Sequence, residues 1–319
     1  MSLGRRSFLG VAGGVAAGVA LGGTLTPSAA AVPRDRSELI PSSGAHLGVY
    51  AYAGNDAGVS QPEALESRIG HQLRINHCFH HYGTAPHTAR WQNDIAAGRI
   101  PMISWGAGPQ TRLQEIADGL HDDEISGQAT LLASLEAPLF LRFTWEFDLR
   151  YTDTALFREV WTYVHAKFAG APNVAFVWCP TWRAYRETFK ADAFYPGDAF
   201  VDWIAADAYA RPHTDPAYHY RPFDLMMDTA HAFAADHGKP FMVGETGVHR
   251  AAVDPVQAAW LTTTRSVVKS SYPQLKAFVY FHRDGDAPDG DDWRVTVPDG
   301  GPAQQAFAAF AHDPYFDPS

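Results

Sequence analysis

The chain has almost no cysteine. Cys78 and Cys179 are its only two thiols in 319 residues, and each sits inside an apolar, strand-like run. Two separate buried thiols are therefore expected, in a fold held by packing rather than by disulfides. Basic charge is scarce as well. The formal net charge is −10 with no basic stripe to offset it, which argues against a nucleic-acid partner. Charged residues are 19% of the chain and hydrophobic residues 46%, a balance that excludes wholesale disorder. No long apolar segment follows residue 23, so the chain beyond it is not expected to lie in a membrane.

Motifs for metals and nucleotides are missing too. "NHCFHH" (76–81) puts His77 and His81 on one strand face with Phe79, and His80 on the other with Asn76 and Cys78. Ligands pointing both ways do not make a metal site, and no HxH or HExxH arrangement supports one, so no metal and no cofactor are expected. "DGDAPDGDDWR" (284–294) lacks the spaced ligands and terminal Glu of a calcium loop and reads as a solvated loop. The first strand-like run is not followed by GxGxxG, which removes the dinucleotide-binding reading.

What is present begins with an export signature. "RRSFLG" (5–10) precedes a Gly/Ala-rich apolar run from Val11 to Gly23 and then "TLTPSAAAV". That order resembles a twin-arginine signal, with residues 1–31 removed and the protein secreted. Removal would take away Arg5 and Arg6 and no acid, leaving the chain more negative still. Residues 32–45 read as a linker and 46–319 as one domain. Eight strand-like runs follow: 47–53, 74–83, 99–108, 138–148, 173–182, 201–210, 239–248 and 275–282. Most intervening segments carry helical spacing, as in Leu156, Val160, Val164 and Phe168 with Phe157 and Trp161 beside them. Asp254 and Pro255 open a helix, and Gly238 closes one. Eight strands alternating with helices over roughly 240 residues predict an α/β fold, a single (β/α)8 TIM barrel.

The stretch "LFLRFTWEFD" (139–148) sharpens the question of function. Alternation gives Leu139, Leu141, Phe143, Trp145 and Phe147 one face, and Phe140, Arg142, Thr144, Glu146 and Asp148 the other. An apolar strand that ends in two acids fits a barrel whose chemistry lies at the C-terminal strand ends. Asp207 and Glu245 occupy such ends on the sixth and seventh runs. Trp105, Trp178, Trp182, Tyr209 and Phe281 supply rings there, each readable as a stacking platform or as core. Acids ringed by aromatics suit glycoside hydrolysis, where one carboxyl protonates a leaving oxygen and another attacks or stabilises the anomeric carbon. Arg142 stands about 13 Å along the strand from Glu146 and is expected to hold an acid of a neighbouring strand, such as Glu245. Asp148 and Asp207 read equally as accessory hydrogen-bonding groups or helix caps. His80 or His81 is placed to touch a sugar.

"LRFTWEFD", "NVAFVWCP", "VDWIAADAY", "KPFMVGETG" and "LKAFVYF", in that order, resemble glycoside hydrolase family 26. The resemblance spans about residues 46–285, and the glutamates of strands four and seven are its strongest part. It implies a barrel enzyme of the retaining clan, acting on β-mannan by default, with β-glucanases and β-1,3-xylanases in the same family. It also implies Glu146 as acid/base, Glu245 as nucleophile and Tyr209 as a hydrogen-bond donor to the nucleophile. This sequence departs from the family where His precedes the acid/base and Asn follows two residues later. Here those places hold Trp145 and Asp148. Strict alternation turns Trp145 outward, although this strand end often bends enough to bring that residue into the site. The expected partner is a polysaccharide or oligosaccharide, met by a monomer. The rivals are a non-catalytic carbohydrate-binding or cell-surface barrel and a metal-dependent hydrolase using the strand-two histidines.

Overall fold

The computed structural model describes residues 35–52, 58–188, 190–212, 220–250, 255–284 and 291–318. The export signature, Asp254 and most of the 284–294 loop lie outside the described residues. Eight parallel strands close into one barrel in chain order: β1 (His46–Ala51), β2 (Ile75–His81), β3 (Ile100–Gly106), β4 (Leu139–Phe143), β5 (Val174–Trp178), β6 (Trp203–Ala210), β7 (Phe241–Val248) and β8 (Leu275–His282). Pairing of β1 with β8, from His46–Ala277 to Ala51–His282, seals the ring. The single (β/α)8 barrel read from the sequence is the fold observed.

Period-two alternation sorts each strand into two cores. Inward residues such as Ile75, Met102, Phe140, Ala175, Ala205, Met242 and Val279 fill the barrel. Outward residues such as Val49, Ile103, Leu141, Phe176, Ile204, Val243 and Phe278 meet the helices in the larger outer core. Leu39, in a 3-10 turn over Arg36–Leu39 capped by Asp35, packs with the inward set. Part of the stretch read as a linker is therefore packed against the barrel.

The helix after β4, Thr154–Lys167, shows why the helical spacing was legible. Asp153 accepts from the Leu156 N–H at 2.9 Å as its N-cap, and Phe157, Val160, Trp161 and Val164 are its buried stripe. The helix Phe223–Asp236 ends where Gly238, at φ 63°, donates its N–H to the Ala235 carbonyl. Cys78 and Cys179 are both free and buried.

One element differs from expectation. The fourth strand was read through Asp148, but β4 stops at Phe143 and a short helix runs Phe147–Arg150. Between them Thr144 (φ 44°) and Glu146 (φ 49°) take left-handed backbone conformations. Such conformations are rare for residues with side chains, so the surroundings must hold them. The Thr144 N–H donates to the Trp105 carbonyl at 2.8 Å and the Glu146 N–H to the Cys179 carbonyl at 2.9 Å. The Thr144 hydroxyl bonds Tyr151 Oη at 2.8 Å.

Candidate active site

The turn after β4 decides where the expected residues go. Glu146 rises into the cleft at the C-terminal end of the barrel. Trp145 does not follow alternation outward. Its indole folds over Gly106, whose missing side chain makes room: a Cβ there would lie 3.1 Å from the ring. Phe79 meets the indole edge-on at 4.9 Å, and the Arg150 guanidinium lies 4.4 Å from its centroid. Asp148 accepts from the Thr181 N–H at 2.8 Å and the Thr181 hydroxyl at 2.6 Å. It fastens the turn to the chain after β5 and is itself buried.

Beneath the cleft lies a buried ion cluster. Arg142, fully buried and inward on β4, donates through Nη1 to both oxygens of Asp207, at 2.8 and 2.7 Å. Its Nη2 donates to Glu245 Oε1 and its Nε to Ser104 Oγ at 2.7 Å. Ser104 in turn bonds His77 Nε2 at 2.7 Å. Burial, with the positive charge of Arg142 second, pushes His77 well below the ordinary imidazole range, so its ring is neutral. Tyr209 donates from its phenol to the other oxygen of Glu245, Oε2, at 2.6 Å. Burial, followed by the charge of Glu245, pushes the Tyr209 phenol well up, which keeps it a donor. Gly244 lets these groups converge, since a Cβ there would stand 2.7 Å from both Asp207 Oδ1 and Cys179 Sγ. Arg142 thus holds Glu245, as the strand spacing implied, and Asp207 as well.

Glu146 has no such clamp. Burial first, and the negative charge of Glu245 second, raise its carboxyl from 4.5 to about 7. The two glutamates therefore sense each other while their surroundings push them toward different tasks. Glu245 has a guanidinium and a phenol on its two oxygens, whereas Glu146 is set to carry a proton near neutral pH.

The cleft has two hollows. One of about 290 Å³ is lined by Tyr50, Tyr52, Phe79, His81, Trp145, Glu245, Phe281 and Arg283. The other, about 260 Å³, is lined by Glu146, Thr181, Trp182, Asp207, Tyr209 and the arginines 183, 211 and 221. His81, Trp145, Trp182, Tyr209 and Phe281 are therefore brought together with the glutamates.

Trp105, Trp178 and His80 are not. Trp105 stacks on Tyr82 at 5.4 Å, Trp178 packs among Phe147, Tyr195 and Phe233, and His80 faces Trp91. All three occupy outward strand positions and are buried toward the helices, so alternation removes them from the cleft. Asp207 lines the second hollow from below with a side chain that has no exposed surface, so it supports Arg142 rather than touching a ligand. Tyr50, Tyr52, Ser104 and His77 were missed as site residues. Their signal was present: each is inward by alternation, and polarity on an inward face asks for an explanation. Among the described residues no three His, Cys, Asp or Glu side chains converge as metal ligands.

The family model for glycosyl hydrolase family 26 matches residues 144–237, a segment holding Glu146, Asp207 and Tyr209. Over that segment the chain is similar to this family. Endoglucanase H of Acetivibrio thermocellus is 24% identical over 268 residues, 78% of this chain and 29% of that protein. A β-1,3-xylanase of an Alcaligenes species is 21% identical over 60% of this chain and 44% of its own length. This chain thus spans less than half the length of these curated relatives. Among solved structures, a Cellulomonas fimi endo-β-1,4-mannanase double mutant superposes with a TM-score of 0.65 at 18% identity, covering 89% of this chain and 76% of that one. GH26C from a Muricauda species gives 0.62 at 14% identity, covering 86% of each chain. At these identities the structural likeness shows the barrel fold.

Proposed function

We propose that this protein is a glycoside hydrolase that cuts β-linked polysaccharide with retention, Glu245 acting as nucleophile and Glu146 as acid/base. The observation that carries this reading is one carboxylate pinned by Arg142 and Tyr209 beside a second carboxyl raised to about 7. In the first half-reaction Glu146 gives its proton to the glycosidic oxygen as the bond from that oxygen to the anomeric carbon breaks. Glu245 forms an ester to that carbon from the opposite face, and the leaving sugar departs as an alcohol. The ester is uncharged, so the repulsion that helped hold a proton on Glu146 is gone. Glu146, now a carboxylate, takes a proton from water as the water oxygen attacks the anomeric carbon and releases Glu245. Two inversions restore the β configuration.

β-Mannan is the first substrate to try, because solved structures that superpose on this chain are named as endo-β-1,4-mannanases. β-Glucan and β-1,3-xylan follow from the names of the curated relatives. An internal cut, by a monomer exported on its twin-arginine segment, completes the reading. Replacing Arg5 and Arg6 by lysine should hold the protein inside the cell.

The test is a panel of these glycans given to the wild-type chain and to folded Glu146→Ala and Glu245→Ala variants. Product from the wild type and a collapse of turnover in both variants is expected. Near-normal turnover by either variant refutes the assignment. Tight glycan binding without product after long incubation would favour a non-catalytic barrel, the reading that Trp145 in the family's His position keeps in view.

A further inference from the structure

The hollow beside Glu146 carries positive charge that the rest of the molecule does not explain. Three guanidiniums gather on one indole: Arg183 at 5.5 Å, Arg186 at 5.3 Å and Arg221 at 5.0 Å from the centroid of the Trp182 ring. An indole offers two faces, and one arginine on each would satisfy it. A third brings like charges within about a Debye length of one another, ~10 Å at 0.1 M salt. Arg183 and Arg221 line the same hollow as Glu146.

The acids nearby, apart from Glu146 itself, are engaged elsewhere. Asp207 is held under the cleft by Arg142 at 2.7 Å, and Glu187 pairs with Lys190 at 3.3 Å. Among the described residues no carboxylate pairs with Arg183, Arg186 or Arg221. The crowding is felt: burial first, then the charges of Arg183 and Arg186, lower the pKa of Arg221. In a chain of net charge −10, three arginines around one ring with no carboxylate partner among the described residues, Arg186 donating instead to the Leu225 carbonyl, are not what composition alone would place there.

We infer that the part of the cleft beside Glu146 receives an acidic sugar, whose uronate carboxylate is bound by Arg183 and Arg221 while its ring lies against Trp182. A guanidinium presents a planar fork of N–H donors that matches a carboxylate, and a flat indole accepts the C–H face of a pyranose. The net negative charge of the protein repels an anionic glycan at long range, so local arginines are needed to admit one. This inference deepens the proposed function and rests on it for one point: if Glu146 protonates the leaving oxygen, the uronate belongs to the part of the glycan near that oxygen.

The experiment uses matched β-linked oligosaccharides carrying glucuronate and the same oligosaccharides after reduction of the carboxyl to an alcohol. Binding is measured by calorimetry on the full chain carrying Glu245→Ala, so that the ligands stay intact, and product formation is measured separately on the wild type. The acidic form is expected to bind about tenfold more tightly than its reduced partner, the scale of one charged hydrogen-bonded contact. Adding Arg183→Ala and Arg221→Ala should bring that ratio to about one. Arg183→Ala alone, at an exposed position, should lower it and guards against a double variant that fails to fold. A ratio near one without the arginine substitutions, or one unchanged by them, overturns the inference, and so does the absence of binding by either form. Hydrolysis of neutral glycans with no acidic preference would leave the enzyme reading standing and this one refuted. Acidic preference without product from any glycan would do the reverse.

Discussion

Glu146 is half-buried, and its carboxyl titrates near 7 because burial and the charge of Glu245 both penalise its anion. Under the proposed mechanism, activity should therefore fall above about pH 7, where Glu146 loses its proton, and a kcat/KM profile should show that alkaline limb. Glu146→Ala should abolish the limb and lower turnover of unactivated glycans by about 10²–10⁴-fold, the usual contribution of a positioned acid. Aryl glycosides whose leaving group needs no proton should be spared in their first step. The same shift predicts a stability effect. Below pH 4.5 the group is protonated in both folded and unfolded chains and costs nothing. As pH rises from 4.5 to about 7 the unfolded chain releases its proton first, so stability is lost, and above 7 the loss is complete. Glu146→Gln, neutral throughout, should thus be more stable than wild type above pH 7 by roughly 1–3 kcal/mol, fading to no difference below pH 4.5. Denaturant melts at pH 4 and pH 8 check this, and an equal effect at both would refute the assigned shift.

At the scale of elements, the turn after β4 and the inward face beneath it matter most. Arg142 is fully buried with one carboxylate on each Nη group, so Arg142→Ala leaves two buried acids without their cation. It should cost about 3–5 kcal/mol of stability, measurable as a lowered melting midpoint, beyond any effect on turnover. Gly244→Ala forces a methyl against Asp207 and Cys179 and should cost about 1–3 kcal/mol by overpacking. Gly106→Ala, whose methyl meets only the Trp145 ring at 3.1 Å, should act more on KM than on stability. Here sequence and structure part company for physical reasons. Eight strands, their inward faces and the reach of Arg142 to Glu245 were legible because alternation is regular inside a strand. The left-handed turn at Thr144 and Glu146 was not, since neither residue type favours that backbone and only hydrogen bonds from neighbouring strands impose it. Trp105 and Trp178 were placed at the site by nearness to strand ends, although their parity already pointed them outward.

At the scale of the whole molecule, barrel closure brings together groups far apart in the chain. β4 supplies Arg142 and the turn bearing Glu146, β6 supplies Asp207 and Tyr209, and β7 supplies Glu245. Because Arg142 fixes β4 against β6 and β7 from inside, loss of the site's geometry and loss of the fold should be coupled. The Arg142→Ala chain is expected to unfold with a broader or earlier transition at any pH where both acids are charged. The arginine-rich hollow was hidden at this scale, because Trp182, Arg183 and Arg221 meet only when two loops converge, and a net charge of −10 masks a local surplus of the other sign. The central claim, two carboxyls performing successive displacements, is tested most directly by the anomeric configuration of the first-formed product. Proton NMR of the reducing end, taken within minutes of mixing enzyme with a β-linked glycan that it cuts, should show the β anomer before mutarotation. An α anomer appearing first would mean a single displacement, and the roles given to Glu146 and Glu245 would fall.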